Sequence, residues 1–317
     1  MRKNVYLALA YVLYLTGCDS PSFEGTITQT EFFPVQFNIQ LEQEIMSFPT
    51  TRSMPDNPVP PPSASKAGEN DTELNELCST IEYVVFKNEK TPVFIKHKQF
   101  TYVPADLDAD FSCIYDRLPQ GDYKFYFLTH NSKTAVLAGS TFSFDSISDT
   151  FYKTLSLNIG AAEIINKDIS LQRIVSRIEF MATDSVSDRL KQFDMEINGI
   201  SDQLDITTGQ GVKTPDKQIL SHTFKDNEIG TVNKIHSFYT FIPATDNKIA
   251  VHLSPIAKDG EPIRERQIDN IIPEKNKIIR SKGRLYSRSD SDDTFQLSIY
   301  NNGKWEMTTD IELPEYE

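Results

Sequence analysis

The chain has 317 residues with a formal net charge of −13, a hydrophobic content of 38% and an aromatic content of 11%. A surface this acidic repels phosphate backbones, and no basic cluster interleaved with aromatic residues offsets it, which argues against nucleic acid as a partner. The apolar content is too high for a disordered chain, and no run after the first 17 residues is long and apolar enough to cross a bilayer as a helix.

The chain opens with Arg2 and Lys3, followed by an uncharged stretch from Val5 to Thr16 that closes on Leu15-Thr16-Gly17-Cys18. A basic start, a short apolar run and a small residue before a cut are the requirements of a secretory signal, and this run is too short to span a membrane. The cysteine adds a lipobox. Its thiol would accept a diacylglyceryl group, and cleavage between Gly17 and Cys18 would leave an acylated Cys18 at the N-terminus. Two or three acyl chains exceed the two-signal threshold for stable anchoring, so the expected membrane contact is a lipid anchor, with everything after Cys18 outside the cytoplasm. The competing reading, an ordinary secreted protein, requires the cysteine to stand there by coincidence. Removal of residues 1–17 would take the 32 basic residues to 30, against 45 acidic ones.

Residues 18–31 are polar, with Pro21 and Gly25, and read as a tether. From Phe33 to Ile45 apolar Phe33, Val35, Phe37, Ile39 and Leu41 alternate with Pro34, Gln36, Asn38 and Gln40, the period of a strand with one buried face. Between Phe48 and Asn70 stand Pro49, Pro55, Pro58, Pro60, Pro61 and Pro62, a composition that reads as an exposed loop. Arg52-Ser53 within it is a candidate site for a trypsin-like protease. Strands are predicted at Ile81–Phe86, Val93–Ile95, Phe111–Arg117 and Tyr123–Thr129, with a turn at Leu118-Pro119-Gln120-Gly121-Asp122 before the last of these. In that strand Tyr123, Phe125 and Phe127 share one face and Tyr126 and Leu128 the other, so both faces are apolar, as in the middle of a sandwich.

Further strands are expected at Thr150–Ile159 and Ile164–Arg177. The segment Leu171–Phe180 is mixed, since Leu171, Ile174, Val175 and Ile178 also fit a helical face; its β-branched content favours a strand. Short strands between turn signals then recur at Phe193–Ile200, Gln218–Phe224, Ser237–Ile242, Lys248–Leu253, Lys277–Tyr286, Phe295–Tyr300 and Trp305–Leu313. Asp259-Gly260 reads as a hairpin turn. Strands at this spacing without amphipathic helices predict an all-β chain of two sandwich domains, 32–172 and 173–317.

The three cysteines leave Cys78 and Cys113 once Cys18 carries lipid. A disulfide between them would close a loop of about 35 residues and stabilise by ~3 kcal/mol in the chain-entropy account; two buried free thiols in neighbouring strands are the alternative. Motifs for catalysis are missing: no Gly-x-Ser-x-Gly, His-Glu-x-x-His, Walker loop or Cys-x-x-Cys occurs. His97, His130, His222, His236 and His252 are isolated along the chain and read as strand or surface residues rather than metal ligands. Asp106, Asp108 and Asp110 alternate like the start of a calcium loop, but the central glycine and the closing glutamate are lacking, and Asp290, Asp292 and Asp293 read as a solvated loop. Neither an enzyme activity, a metal nor a small-molecule cofactor is expected.

The order of features resembles a known family. A lipobox precedes a first strand and Thr51-Arg52-Ser53; Leu118-Pro119-Gln120-Gly121-Asp122-Tyr123-Lys124-Phe125 follows. Leu171-Gln172-Arg173-Ile174-Val175-Ser176-Arg177-Ile178-Glu179 opens a second half, which ends with Asn276 before a strand and Trp305 ahead of Ile311-Glu312. These segments resemble the fimbrillin-like lipoproteins of Bacteroidetes type V fimbriae, and among them the anchor subunits. The resemblance implies two transthyretin-like (immunoglobulin-like) β-sandwiches in tandem, a place on the cell outer membrane, and assembly with other fimbrial subunits by β-strand exchange. It also implies a choice. Retained Cys18 would mean an anchor, whereas cleavage at Arg52 would release lipid and first strand and mean a stalk or tip subunit; the Leu-Pro-x-Gly-Asp-Tyr turn favours the anchor. Asp145-Ser146-Ile147 and Asp184-Ser185-Val186 resemble acceptors for O-glycosylation in that phylum, at Ser146 and Ser185. The competing function is a glycan-binding surface lipoprotein of a polysaccharide-uptake system, which would be favoured by exposed aromatic residues such as Tyr123, Tyr126, Trp305 or Tyr316 on one flat face.

Overall fold

The structure is a computed structural model that describes residues 31–42, 73–104, 111–160, 164–288, 294–301 and 304–312. In the first half the elements are β1 (Phe32–Leu41), a single helical turn α1 (Leu74–Leu77), β2 (Thr80–Lys87), β3 (Val93–Thr101), β4 (Cys113–Pro119), β5 (Gly121–His130), β6 (Ala135–Ala138), β7 (Thr141–Phe144), β8 (Phe151–Ile159) and β9 (Ile165–Arg173). The second half comprises β10 (Val175–Ala182), β11 (Leu190–Asn198), β12 (Ser201–Asp205), β13 (Gln210–Lys213), β14 (Gln218–Thr223), β15 (Ile235–Phe241), β16 (Ile249–Ala257), β17 (Arg266–Ile271), β18 (Lys277–Gly283), β19 (Thr294–Asn301) and β20 (Lys304–Glu312).

These strands build two sandwiches in tandem, the predicted all-β architecture. In the first, β3-β2-β5-β8 face β9-β1-β4, and the two layers touch at one corner through Phe151↔Arg173 and Tyr152↔Gln172. In the second, β14-β11-β16-β17 face β15-β10-β18, and the latter sheet continues outward through β19 and β20. The halves repeat one plan. β1 runs antiparallel to β4 and parallel to β9, as β10 runs antiparallel to β15 and parallel to β18.

The period-two patterns account for the cores. Phe33, Val35, Phe37 and Ile39 of β1 point inward onto Tyr83, Phe125 and Phe127, and a separate core in the second sandwich gathers Phe180, Phe193, Ile197, Val251 and Leu253. Both faces of β5 are buried, as its sequence predicts. Tyr123, Phe125 and Phe127 enter the first core, while Tyr126 and Leu128 join Phe142, Val175, Leu204 and Phe241 in a third cluster. That cluster lies under a small sheet, β13-β12-β7-β6, which the sequence did not foretell and in which Leu204 of the second half pairs with Phe142 of the first. Tyr123 and Tyr126 are each 2% exposed, in keeping with the two apolar faces predicted for β5, and neither offers the exposed ring that a glycan-binding face would need.

Turn chemistry differs in detail from the prediction. β4 runs on to Pro119 and β5 begins at Gly121, so Gln120 alone lies between them, and Gly121 takes a φ of +153° that suits glycine. Gly260, at φ +94°, makes the hairpin turn between β16 and β17 expected from Asp259-Gly260. The segment 171–180 is extended, with only Ile174 between β9 and β10. Packing of Leu171 into the first core and Ile178 into the second decides against the helical alternative.

Candidate assembly site

The first strand, β1, is the element around which the candidate site is built. It lies in the middle of its sheet, with β4 on one side from Phe32↔Pro119 to Asn38↔Cys113, and β9 on the other from Val35↔Ile165 to Leu41↔Leu171. Its inward residues fill a slot in the aromatic core: the Phe37 ring lies 5.0 Å from both Phe125 and Phe127 and 6.0 Å from Tyr83. Each such side chain contributes about 1.5–3 kcal/mol by burial. Withdrawal of β1 would leave an apolar slot bordered by two rows of unpaired backbone groups, which is the chemistry that takes up another strand.

The outward face of β1 is tied down by side chains. Asn38 Nδ2 donates to Asn166 Oδ1 at 3.2 Å and Asp168 Oδ1 at 2.8 Å, and Gln40 Nε2 donates to Ser170 Oγ at 3.0 Å. Gln36 Nε2 reaches Cys113 Sγ at 3.4 Å on the β4 side. A polar ladder therefore runs along the strand outside, over the apolar one inside.

Each sandwich also has an open side, where two edge strands from opposite sheets approach without sharing backbone hydrogen bonds. In the first these are β3 and β4. Asp116 of β4 closes the gap, accepting from Tyr83 Oη, Lys96 Nζ and Lys98 Nζ, each at 3.0 Å. Burial pushes the Asp116 carboxyl up, but the hydrogen bonds from Lys96 and Lys98 outweigh it and hold the group below its usual range. The Tyr83 hydroxyl is pushed well up by burial and by the Asp116 charge.

In the second sandwich the corresponding edges are β14 and β15. Tyr83 pairs with Lys98 and Phe193 with His222, while Asp116 pairs with Val35 and His236 with Phe180. Here the gap is filled by rings. His236 stacks on Phe193 with centroids 4.1 Å apart, lies 5.6 Å from the His222 ring, and its Nε2 is 2.6 Å from Tyr286 Oη. Glu228 lies beside them, 3.1 Å from His222 Nε2 and 2.5 Å from Lys234 Nζ. Burial, reinforced by the charges of His222 and Lys234, pushes His236 down to about 3.

A third polar cluster joins residues that the sequence presented as isolated. Glu82 of β2, buried on the outer face of its sheet, meets His97 Nε2 at 2.5 Å, Gln99 Nε2 at 2.7 Å and His130 Nε2 at 3.3 Å. The backbone N–H of Ser132 donates to His130 Nδ1, which fixes the proton of His130 on Nε2, toward the carboxylate. Burial raises the Glu82 carboxyl, and these hydrogen bonds outweigh it, bringing it to about 2. Phe142 and Phe144 of β7 pack edge-on against the His97 and His130 rings. The cluster thus seats the small bridging sheet on the first sandwich. Strand register could have revealed it, because Glu82 pairs with Gln99, while Val84↔His97 and Thr80↔His130 place the two histidines diagonal to Glu82 on the same face.

The predicted site residues fall as follows. Gly17, Cys18, Arg52 and Ser53 lie outside the described residues, as do Asp106, Asp108, Asp110, Asp290, Asp292, Asp293 and Tyr316. Cys78 and Cys113 are free thiols, a correction to the candidate disulfide. Cys78 is buried beside β5, where its Sγ contacts Thr129 Oγ1 at 3.3 Å and burial pushes its thiol up to about 12. Cys113 lies on β4, at the far edge of the other layer, against Gln36 and Asn38. Ser146 and Ser185 are both exposed in loops, each following an aspartate that accepts backbone hydrogen bonds, Asp145 from Thr134 and Asp184 from Leu285 and Tyr286.

Fold and slot together define a tandem β-sandwich protein whose first strand is a central insert. Similar solved structures include a candidate adhesin from Bacteroides ovatus, at a TM-score of 0.49 and 14% identity over 81% of this chain and 88% of that one. The fimbrial anchor protein Mfa2 from Porphyromonas gingivalis is similar at a TM-score of 0.45 and 12% identity, over 86% and 98% of the two chains. The tip fimbrial protein Mfa3 from the same organism, with a C-terminal truncation, is similar at 0.40 and 8%, over 89% and 100%. No protein-family model and no curated protein matches the chain.

Proposed function

We propose that this chain is a non-enzymatic lipoprotein of the outer membrane that anchors a fimbrium, or forms part of one, and meets its neighbours by β-strand exchange. Acyl chains on Cys18, exposed by cleavage after Gly17, hold it on the membrane, and its partners are other fimbrial subunits. Its two sandwich domains are 32–172 and 173–317. The observation that carries the reading is the position of β1, a strand close to the tether that is paired on both sides and fills the aromatic slot by its own inward residues.

The same position separates the two roles. Cleavage at Arg52 would cut the covalent link between β1 and the rest of the fold and leave the strand free to be replaced. An uncut chain keeps β1, and its polar ladder to β9 favours retention and hence the anchor. Exposed Ser146 and Ser185 are acceptors for O-linked glycan in this reading. The mass of the N-terminus of protein taken from cells tests it directly: acylated Cys18 is expected. A free Ser53 would overturn the anchor in favour of a stalk or tip subunit, and a cytosolic chain with residues 1–17 intact would end the proposal altogether. Fimbriae prepared from a Cys18→Ala strain are expected to be shed from the cells.

A further inference from the structure

Chain entry and exit share a geometry in both sandwiches. The chain enters the first at the N-terminal end of β1 and leaves it at the C-terminal end of β9. These strands are adjacent and parallel over seven register pairs, Val35↔Ile165 to Leu41↔Leu171. It enters the second at the N-terminal end of β10 and leaves the core layers at the C-terminal end of β18, again adjacent and parallel, from Arg177↔Ile278 to Ala182↔Gly283. Tension along the chain therefore pulls each pair in opposite directions along the strand axes. Parallel ladders have evenly spaced hydrogen bonds, so under such shear all of them carry the force together and must fail together, whereas a strand peeled from one end loses its bonds singly.

Side chains reinforce the same two pairs. Between β1 and β9 stand the bonds of Asn38 to Asn166 and Asp168 and of Gln40 to Ser170, followed just beyond β1 by Gln172 Nε2 to Glu42 Oε1 at 3.1 Å. Between β10 and β18, Arg280 Nε donates to buried Glu179 Oε2 at 2.6 Å, directly across the ladder. The two pairs are joined with no slack. Arg173, the last residue of β9, holds Asp149 through Nε at 2.6 Å and Nη2 at 2.8 Å, and reaches Asn276 Oδ1 at 2.8 Å beside the start of β18.

We propose that the chain is a tension-bearing element in which β1/β9 and β10/β18 are two shear clamps in series, welded at Arg173. The proposal uses the anchoring reading only as the source of the tension; the clamps themselves follow from strand order.

Single-molecule stretching of the full mature chain, Asp19 to Glu317, tests it without any membrane. Held by its two ends, the first sandwich is expected to open at a force several-fold higher than when the same chain is held from Glu42 and its C-terminus. The second attachment, through Glu42→Cys in a Cys113→Ser background, loads β1 at the end where Glu42 N–H bonds to Leu171 O, so that β1 peels from β9. The gain in length on opening identifies which sandwich has yielded. Equal opening forces in the two attachments would overturn the proposal. As a second measurement, Asn38→Ala with Asp168→Ala should lower the end-held force and leave the Glu42-held force nearly unchanged; an equal drop in both would mean a general loss of stability and would count against the clamp. None of these outcomes depends on whether Cys18 is acylated, so this inference and the anchoring reading can fail separately.

Discussion

The two open sides of this molecule solve one geometrical problem with opposite chemistry. Both stand between the same pair of topological edges, and three residues meet across each gap: Tyr83, Lys98 and Asp116 in the first sandwich, Phe193, His222 and His236 in the second. The first gap is closed by a carboxylate that gathers a phenol and two ammonium groups, the second by a buried neutral imidazole stacked on a phenyl ring. A sandwich fold therefore fixes where an edge must be sealed but leaves the seal free. The difference should appear in stability, in pH dependence and in salt dependence, in that order of size.

The largest effect is expected from the ionic seal. Asp116→Ala removes the one acceptor shared by three donors and leaves the Tyr83 hydroxyl buried without its partner, at a cost of about 3 kcal/mol. Equilibrium unfolding in urea measures it. The transition of the first sandwich should move while that of the second stays, and a loss below about 0.5 kcal/mol would show that the seal is ornamental. Asp116→Asn, which keeps an acceptor for Tyr83, should recover part of the difference.

Much of this was open to sequence reasoning, and the limits have physical causes. Alternation in β1 and the two apolar faces of β5 were legible because period two reports which side of a strand is buried. Which faces meet is another matter. Asp116 was visible only as one acidic residue inside the predicted strand Phe111–Arg117, and His222 and His236 only as single histidines, because the partners of each are brought in from other strands by the fold. β6, β7, β12 and β13 escaped notice for a related reason: each is four or five residues long, too short for a pattern, and β12 pairs with β7 across about sixty residues of chain. Glu82 reads as a polar residue in an apolar strand until His97 and His130 are seen beside it. Residue identity predicted faces, and register supplied the constellations.

The aromatic seal should be the acid-sensitive one. His236 is held at about 3 in the folded chain, against about 6.5 in an unfolded one. At neutral pH neither state binds the proton, so the group is neutral in its effect. As the pH falls below 6.5 the unfolded chain gains a proton that the folded one refuses, and stability declines until the pH nears 3. At pH 4.5 the loss should reach about 2–3 kcal/mol. Asp116 behaves differently over this window: its carboxyl, held below the usual range, keeps its contribution until the pH falls past the ordinary carboxylate value. Urea midpoints at pH 7.5 and 4.5 should therefore diverge for the second sandwich more than for the first. His236→Phe should flatten that divergence, although it lowers stability at pH 7.5 by stranding the Tyr286 hydroxyl. A wild-type second sandwich as stable at pH 4.5 as at 7.5 would refute the assignment.

The smallest effect is the most selective for mechanism. Lys98 is 42% exposed at its side chain and Lys96 24%, so their attraction for Asp116 is partly screened by water and by salt. Lys98→Met, which keeps the stem packed along the edge and removes the charge, should cost only about 0.5 kcal/mol at low ionic strength. Raising the salt to about 1 M, where the Debye length falls to about 3 Å, should bring wild type and variant together. No such convergence is expected for a substitution in the second seal, where His236 takes part as a neutral ring. If His236→Phe proves as salt-sensitive as Lys98→Met, the imidazole carries charge in the folded state and the second seal is ionic after all. Salt thus asks of each open side whether its chemistry is electrostatic, a question that the order of the edge strands, shared by the two halves, leaves entirely to the side chains.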